Sequence, residues 1–333
     1  MRSVRIETPS RLHFGLIDLN GSLGRIDGSS GLALDRPRFV LTAEKADELT
    51  VHGADAYRSR IESIHATLRS RWPLGGAELT FSETIPAHSG LGSGTQLTLA
   101  LIHALTALYD VSISQEDAVA LSARGGASGI GVYAFYKGGF LVDGGHKFPD
   151  RKKAFAPSSA SPDVGPGPLL LRHDFPNWEI LLVMPNGSHI SGREELELFQ
   201  SLCPMPAGAA MYVCHELIMR LLPAIAEKDL RAFASSLDSM QEVGWKKAEL
   251  DAQEPVARKT MSFLRDHGAL GVAMSSWGPT IVAFAEDLVA LQEAADGFLA
   301  SLPGGGSTLV TRANNVGMRL VTDGSTGPDT PTT

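Results

Sequence analysis

The sequence contains little of what stabilises small secreted proteins or binds metals through sulfur. Only two of its 333 residues are cysteines, Cys203 and Cys214, which is too few for a disulfide framework or a cysteine-ligated metal site. Free thiols are typical of a reducing compartment, so we expect a cytoplasmic protein. Residues 1–6 lack the apolar core of a signal peptide, and no apolar run looks long enough to span a bilayer.

Positive charge is also scarce in this chain. The 29 lysines and arginines are outnumbered by 37 aspartates and glutamates, and the net charge of −8 argues against a general nucleic-acid-binding protein. It still permits a local basic pocket for a phosphorylated substrate. Hydrophobic residues make up 43% of the chain and charged residues 20%, as in ordinary globular proteins, and the length suffices for two medium domains.

A glycine- and serine-rich segment lies between two patterns that predict regular structure. Residues 79–85 alternate between apolar and polar side chains, as in a half-buried strand, and residues 97–108 are predominantly apolar, as in a buried helix. Gly90, Gly92 and Gly94 lie between them and would let the backbone approach a ligand closely. A helix N-terminus favours an anion, usually phosphate, although a tight turn has a similar composition. No Gly-Lys-Ser/Thr follows, so this is not a Walker loop.

Charged and polar side chains are concentrated in a second stretch, residues 9–31. It follows residues 3–8, whose alternation predicts a first strand. The stretch contains Arg11, His13, Asp18, Arg25 and Asp27. This density is not typical of a plain hairpin and predicts a functional segment, with solvated turn residues as the alternative.

The remaining patterns indicate an α+β protein. Residues 54–72 have the apolar spacing of an amphipathic helix, and strands and helices elsewhere follow no steady βαβ rhythm. The glycine-rich residues 125–145 predict a loop and a strand packed tightly against a site. Residues 146–167 lack periodicity and predict a surface linker, whereas Ser191–Glu194 form a capping-box pattern that predicts a helix start. Residues 323–333 have the composition of a disordered end.

Two motifs resemble those of the GHMP kinase superfamily, which includes galactokinase, homoserine kinase and mevalonate kinase. Its phosphate loop is similar to Pro86-Ala87-His88-Ser89-Gly90-Leu91-Gly92-Ser93-Gly94, and its third motif to Gly271-Val272-Ala273-Met274-Ser275-Ser276-Trp277-Gly278-Pro279. The resemblance implies a GHMP-kinase-like two-domain fold, with a ribosomal-S5-like N-terminal domain (residues 1–168) and a ferredoxin-like C-terminal domain (residues 169–322). The site would lie in the cleft between them.

One element of the kinases is missing. Several of them carry Ser-Gly-x-Asp, whose carboxylate helps to activate the acceptor hydroxyl as a general base. The similar run here is Ser128-Gly129-Ile130-Gly131, and glycine cannot accept a proton. The sequence therefore disfavours an ATP-dependent small-molecule kinase, which we keep as the alternative function.

Four longer blocks resemble the β-ribofuranosylaminobenzene 5′-phosphate synthase family of the same superfamily. They are residues 11–28, 90–96, 128–135 and 138–145. The resemblance implies a transferase that condenses phosphoribosyl pyrophosphate (PRPP) with 4-aminobenzoate or 4-hydroxybenzoate. Pyrophosphate and carbon dioxide would leave, giving a C-riboside 5′-phosphate for methanopterin-type one-carbon carriers. It also implies a homodimer, and neither nucleic acid nor a membrane is an expected partner.

That reaction suggests roles for individual residues. Departure of pyrophosphate requires cations and N–H donors, and Mg²⁺, the expected cofactor, would bridge the phosphate oxygens. Asp18 and Asp27 are the candidate Mg²⁺ ligands, and Arg25 or Arg11 would bind the aryl carboxylate. The expected catalytic residues are His13, Asp18, Arg25 and Asp27, with His13 or His88 moving a proton or donating to phosphate. The expected substrate- and phosphate-binding residues are Arg11, His88, Ser89, Gly90, Leu91, Gly92, Ser93, Gly94, Thr95, Gln96, Ser128, Gly129, Ser275 and Ser276.

Overall fold

A long antiparallel hairpin near the N-terminus forms the centre of the first β-sheet. In the computed structural model, which describes residues 3–187, 192–253 and 255–323, its strands are β1 (Ser3–Asp18) and β2 (Arg25–Ala46). The pairing runs from Ser3 opposite Glu44 to Asp18 opposite Asp27. The polar stretch is therefore the far end of a β-hairpin, although its composition had not predicted a plain hairpin. Several polar side chains at this end bond to neighbouring segments of the chain and do not face solvent as they would in an isolated turn.

Further strands extend this sheet from distant parts of the chain. They are β3 (Thr50–His52), β4 (Gly76–Glu83), β5 (Phe140–Asp143), β6 (His146–Lys147), β7 (Leu169–His173) and β12 (Arg319–Thr322). Strand β12 pairs with β1, and β7 pairs with β5, so two strands from beyond residue 168 complete the first sheet. The boundary between residues 168 and 169 therefore does not separate the two sheets. Of the residues expected in a disordered tail, Asp323 bonds to Ser3 and the others lie outside the described residues.

The second sheet has four antiparallel strands in the order β11-β8-β10-β9. They are β8 (Ile180–Pro185), β9 (Ala269–Met274), β10 (Ile281–Ala285) and β11 (Gly306–Thr311). Strands β8, β9 and β10 are short, predominantly apolar runs, whereas β11 begins with Gly-Ser-Thr. One face of the sheet packs against two of the helices named below, α10 and α11. The third sequence motif begins in β9, so this sheet positions Ser275–Pro279.

Helices cover both sheets. In the described residues they are α1 (Arg58–Arg71), α2 (Ser93–Leu108), α3 (Gln115–Ser122), α4 (Ile130–Lys137), α5 (Arg193–Leu202), α6 (Ala207–Glu216), α7 (Leu222–Glu227), α8 (Leu230–Met240), α9 (Gly244–Ala252), α10 (Pro255–Asp266) and α11 (Leu288–Ser301). Helix α2 carries no charged residue and is buried along most of its length, as predicted. Helix α4 occupies part of the segment predicted as loop and strand, and α9 was missed. Ser191 of the predicted capping box lies outside the described residues.

Helices α6 and α7 form one continuous helical segment, residues 207–227, through a π-helical turn at Leu217–Leu221. By length and composition alone this segment could cross a membrane: it has 21 residues and a mean hydropathy of 1.3, and 22% of its most apolar window is buried. The expectation that no apolar run in the chain is long enough to span a bilayer was therefore wrong. In the fold the segment packs against β1 and α8 and leaves Met211, Ile218 and Met219 exposed.

The segment after β6 is not the surface linker that its composition predicted. Lys152 is buried there, with its ammonium 2.9 and 3.1 Å from the two carboxylate oxygens of Asp27. His146 Nδ1 lies 2.6 Å from the same carboxylate, and Lys152 also donates to the carbonyl of Ala156. This buried cluster fastens the segment over the end of the β1–β2 hairpin. Sequence reading missed it because Asp27 and Lys152 are far apart in the chain.

The ion pair gives a stability prediction. Substituting Lys152→Met removes the cation but leaves the Asp27 carboxylate buried, which should lower the free energy of unfolding by about 3–5 kcal/mol. Urea denaturation followed by circular dichroism measures the change. The control is Arg231→Met, which breaks an exposed pair with Glu286 and should cost less than about 1 kcal/mol. Equal stabilities of the two variants would contradict a structural role for the buried pair.

Candidate active site

A cavity of about 530 Å³ opens between the β1–β2 hairpin, the N-terminus of α2 and helices α5 and α9. The glycine loop, residues 86–92, connects β4 to α2 along one side of it. Gly92 is the N-cap of α2 and has a left-handed backbone (φ 78°), and no side chain caps the helix. Ser93, Gly94 and Thr95 of the first turn line the cavity. The positive end of the α2 dipole therefore faces the cavity, as the sequence predicted, and favours a bound anion there.

Three arginines surround this helix end and form what we call the cationic wall: Arg11, Arg60 and Arg124. A Cβ atom at Gly94 would lie 2.9 Å from Arg60 Nη1 and 3.4 Å from Arg124 Nη2, so both guanidinium groups reach the first turn of α2. The Nε atom of Arg124 is buried without a hydrogen-bond partner. Burial lowers the pKa of Arg11 to about 10, which still leaves it charged at neutral pH. The arrangement fits an anion with several charges.

The polar stretch of residues 9–31, the glycine loop and the motif that contains Ser275 and Ser276 meet beside the cationic wall. The carbonyl oxygen of Gly90 accepts hydrogen bonds from the Arg11 guanidinium and from Ser275 Oγ. The Ser275 hydroxyl in turn accepts from the backbone N–H of His13 at 3.1 Å, and Ser276 N–H donates to the His13 carbonyl. The His13 ring is buried on the cavity wall, and its Nδ1 has no partner. Burial, with Arg11 and Lys246 nearby, holds the pKa of His13 well below its usual range, so the imidazole is neutral.

Another part of the cavity lining is an aromatic wall that the sequence analysis missed. It consists of Leu16, Phe199, Trp245 and Trp277, which pack in one buried cluster. Ring centroids are 4.2 Å apart for Phe199 and Trp245 and 5.8 Å apart for Trp245 and Trp277. The indole N–H of Trp277 donates to Glu195 Oε1 at 2.9 Å. The ring planes meet at 37° and 84°, so the wall offers both ring faces and ring edges. Such an apolar surface beside a carboxylate suits an aromatic ring that carries a hydrogen-bond donor.

Two carboxylates line the cavity near this wall. Glu249 is buried and pairs with Lys246 at 2.5 Å, and Lys246 also donates to the Ser276 carbonyl. Glu195 has no ion-pair partner in the described part of the chain, and burial raises its pKa to about 7. Both lie on helices, α9 and α5; the sequence predicted the start of α5 but not α9, and it assigned neither helix to a site. Only the packing of these helices against the hairpin reveals that their acidic residues face a cavity.

Comparison with known proteins fits this geometry. Residues 59–139 match the GHMP kinases N terminal domain, and residues 221–304 match the GHMP kinases C terminal domain. The β-ribofuranosylphenol 5′-phosphate synthase of Methanocaldococcus jannaschii is 38% identical over 329 residues, covering 95% of this chain and 99% of that protein. The enzyme of the same name from Archaeoglobus fulgidus is 38% identical over 318 residues, with the same coverage.

The chain belongs to the β-ribofuranosylphenol 5′-phosphate synthase family. The predicted family and enzyme class are thereby confirmed. Solved structures confirm the GHMP-kinase-like fold at lower identity. Mevalonate kinase of Leishmania major, solved with R-mevalonate, has a TM-score of 0.69 at 14% identity over 93% of this chain and 96% of that one. A putative homoserine kinase of Listeria monocytogenes has a TM-score of 0.61 at 18% identity, covering 96% and 99%.

In this family member the structure does not place Asp18, Arg25 or Asp27 on the cavity wall. Asp18 Oδ1 accepts from the N–H of Asn20 at 2.7 Å, and Arg25 donates to the carbonyls of Gly144 and Gly145. Both oxygens of Asp27 are engaged by Lys152, as described above. Hairpin pairing and the covering segment thus direct these side chains away from the cavity. Their contacts indicate that they shape the hairpin end and its neighbours.

Most of the other predicted residues line the cavity, and the rest lie behind the lining. On the cavity wall are Arg11, His13, His88, Ser89, Gly90, Gly92, Ser93, Gly94, Thr95, Ser128 and Ser276. Leu91, Gln96, Gly129 and Ser275 lie behind it. Gln96 donates to the Gly131 carbonyl at 2.8 Å, and Ser128 is joined through Ser29 to the buried Asp143, whose pKa burial raises to about 6. The supporting residues therefore fix the loops that carry the wall.

The cationic wall leads to a binding prediction. Arg60→Gln should weaken binding of inorganic pyrophosphate by roughly tenfold to a hundredfold, because a charged hydrogen bond in a shielded site contributes about 1.5–3 kcal/mol. Isothermal titration calorimetry measures the affinity. Arg58→Gln is the matched control, since Arg58 lies on the same helix but pairs with the exposed Asp55. Equal affinities of the two variants would remove Arg60 from the anion site.

Proposed function

We propose that this synthase condenses PRPP with 4-hydroxybenzoate or 4-aminobenzoate and releases pyrophosphate and carbon dioxide. The product is a C-riboside 5′-phosphate, a precursor for methanopterin-type one-carbon carriers. The observation that carries the proposal is the pairing of a cationic wall with an aromatic wall in one cavity. A phosphorylated sugar with a pyrophosphate leaving group fits the first wall, and a benzoate ring fits the second.

In the proposed first step, the bond from ribose C1 to the pyrophosphate oxygen breaks, and the electron pair leaves with pyrophosphate. Arg11, Arg60, Arg124 and the N-terminus of α2 receive the growing negative charge. Fixed charges and dipoles aimed at a leaving group stabilise the transition state more than the ground state. The neutral His13 adds no positive charge near the developing carbocation at C1.

In the second step, the ring carbon that bears the carboxylate attacks C1. The new C–C bond interrupts the aromaticity of the ring, and loss of carbon dioxide returns the electron pair of the broken C–C bond to it. Stacking on Phe199, Trp245 and Trp277 would hold the ring in line with C1 and keep water from C1. Water exclusion matters because a carbocation at C1 reacts readily with water.

Mg²⁺ enters this proposal as a partner of the substrate phosphates. Among the described residues, no group of three or more His, Cys, Asp or Glu side chains could hold a metal ion. Asp27, one of the expected ligands, is occupied by Lys152 and His146. The residues therefore do not fit a protein-held Mg²⁺ site, and no step here depends on one. Mg²⁺ bound to PRPP would keep most of its oxygen ligands from phosphate and water.

The kinase alternative lacks a carboxylate at the position where several kinases of the superfamily carry their base. Gly131 lines the cavity at that position, and the nearest atoms to its missing side chain belong to Thr95. Ser128 supplies a hydroxyl group there, which is not basic enough to replace a carboxylate.

Substrate preference tests the proposal directly. PRPP with Mg²⁺ should raise the thermal midpoint with its concentration, because a ligand that binds only the folded state stabilises it. Mass spectrometry of reactions with each benzoate should show the decarboxylated riboside. ATP with Mg²⁺ and candidate alcohols serves as the comparison. ADP formation, without a riboside from PRPP, would favour a kinase.

We further propose a cytoplasmic homodimer that uses the exposed apolar face of residues 207–227. Cys214 is exposed on the same segment without a disulfide, as in a reducing compartment. Met211, Ile218 and Met219 are 71%, 55% and 66% exposed, a concentration of apolar surface that a second copy of the chain would cover. The proposal includes neither nucleic acid nor a membrane as a partner.

Met219→Glu should shift the protein from dimer to monomer, because a buried charge at an apolar interface opposes association. Light scattering coupled to size-exclusion chromatography measures the mass. Val289→Glu is the control, since Val289 is 68% exposed on the distant helix α11. A dimer that survives Met219→Glu would place the interface elsewhere.

A further inference from the structure

Glu195 differs from Glu249, the other carboxylate on the cavity wall that the structure describes. Its carboxylate accepts a hydrogen bond from the Trp277 indole at 2.9 Å and forms no ion pair there. Glu249, the other acidic residue on the wall, is neutralised by Lys246 at 2.5 Å. Glu195 is therefore an acid–base group held in place by an aromatic side chain, beside the surface on which a ring would stack.

The ring chemistry requires such a group at this position. When the carboxylate-bearing carbon attacks ribose C1, positive charge spreads to the heteroatom of the para substituent. That substituent lies across the ring from the attacking carbon. With the attacking carbon directed at the sugar beside the cationic wall, the para substituent points towards the far side of the cavity. Glu195 lines the same cavity from α5, and its hydrogen bond to Trp277 places it beside the aromatic wall against which the ring would pack.

We propose that Glu195 is the catalytic base for the acceptor ring and takes the proton of its para hydroxyl or amino group. This inference rests on the proposed function. Proton transfer to Glu195 converts the cationic ring into a neutral dienone or its imine. Loss of carbon dioxide then returns the electron pair of the broken bond to the ring. The resulting phenolate or anilide regains the proton from Glu195, so the residue ends in its starting state.

The environment of Glu195 suits this role. Its pKa is raised to about 7, chiefly by burial; the Trp277 hydrogen bond lowers it, Glu249 on α9 raises it, and Lys152 lowers it. Cys203, at the end of α5, remains a neutral thiol because burial raises its pKa to about 12. A base is active when deprotonated, so the rate should rise with pH through the pKa of Glu195. A base whose pKa is near the working pH is the most effective one.

The test compares Glu195→Gln with Glu194→Gln, a neighbouring exposed glutamate on the same helix turn. Product formation from PRPP and each benzoate is followed between about pH 5 and pH 9, and PRPP affinity is measured separately. We expect Glu195→Gln to lower kcat by roughly a hundredfold and to abolish the rising limb near pH 7, with PRPP affinity unchanged. The loss should be greater with 4-hydroxybenzoate, because an amino group donates electrons to the ring more strongly. Glu194→Gln should behave as wild type.

A wild-type rate and an unchanged pH profile in Glu195→Gln would overturn the inference. Absence of riboside from the wild-type protein with both benzoates would instead overturn the proposed function, so the two failures are distinguishable. Trp277→Phe provides a second test that does not alter the carboxylate. Because the indole hydrogen bond lowers the pKa of Glu195, its loss should move the rising limb to higher pH. If the rising limb of the pH profile stays at the same pH in Trp277→Phe, Glu195 is not the group whose titration produces it.

Discussion

The hydrogen bonds to the carbonyl oxygen of Gly90 hold the candidate site together. This oxygen accepts hydrogen bonds from Arg11 on the hairpin and from Ser275 at the end of the second sheet, so one atom joins three distant segments. Only glycine fits there: the backbone is left-handed (φ 77°), and a Cβ would lie 2.3 Å from the Ser275 carbonyl oxygen. This contact directs the α2 N-terminus and Arg11 into the same cavity, and the anion site follows from it.

The two walls of the cavity have opposite chemical character, and the proposed reaction needs both. An anion leaves towards Arg60, Arg124 and the α2 N-terminus, whereas an electron-rich ring attacks from the aromatic side. Arg11 lies where the walls meet, and Glu249 raises its pKa against the effect of burial. A cavity with charge on all sides would bind the sugar phosphates but would offer no surface for the ring. This asymmetry is what distinguishes a synthase from a simple phosphate-binding protein.

The fold alone would not have identified this chemistry. Kinases for mevalonate and homoserine have the same architecture at 14–18% identity. In this chain the cleft is lined by Gly131, Glu195 and the aromatic residues of α5 and α9. A conserved scaffold can thus support a different reaction when the residues on its cleft change.

The sequence by itself determined the glycine loop, the buried helix α2, the α+β class and the family, because each rests on local pattern or a contiguous motif. It also predicted site roles for Arg11 and His13, which the structure places on the cavity wall. Only the tertiary structure decided that Asp27 pairs with Lys152 behind the cavity and that Glu195, Trp245 and Arg124 face into it. These residues are far apart in the chain and belong to no motif. Burial and hydrogen-bond partners are set by packing between distant segments, and a linear pattern does not record that packing.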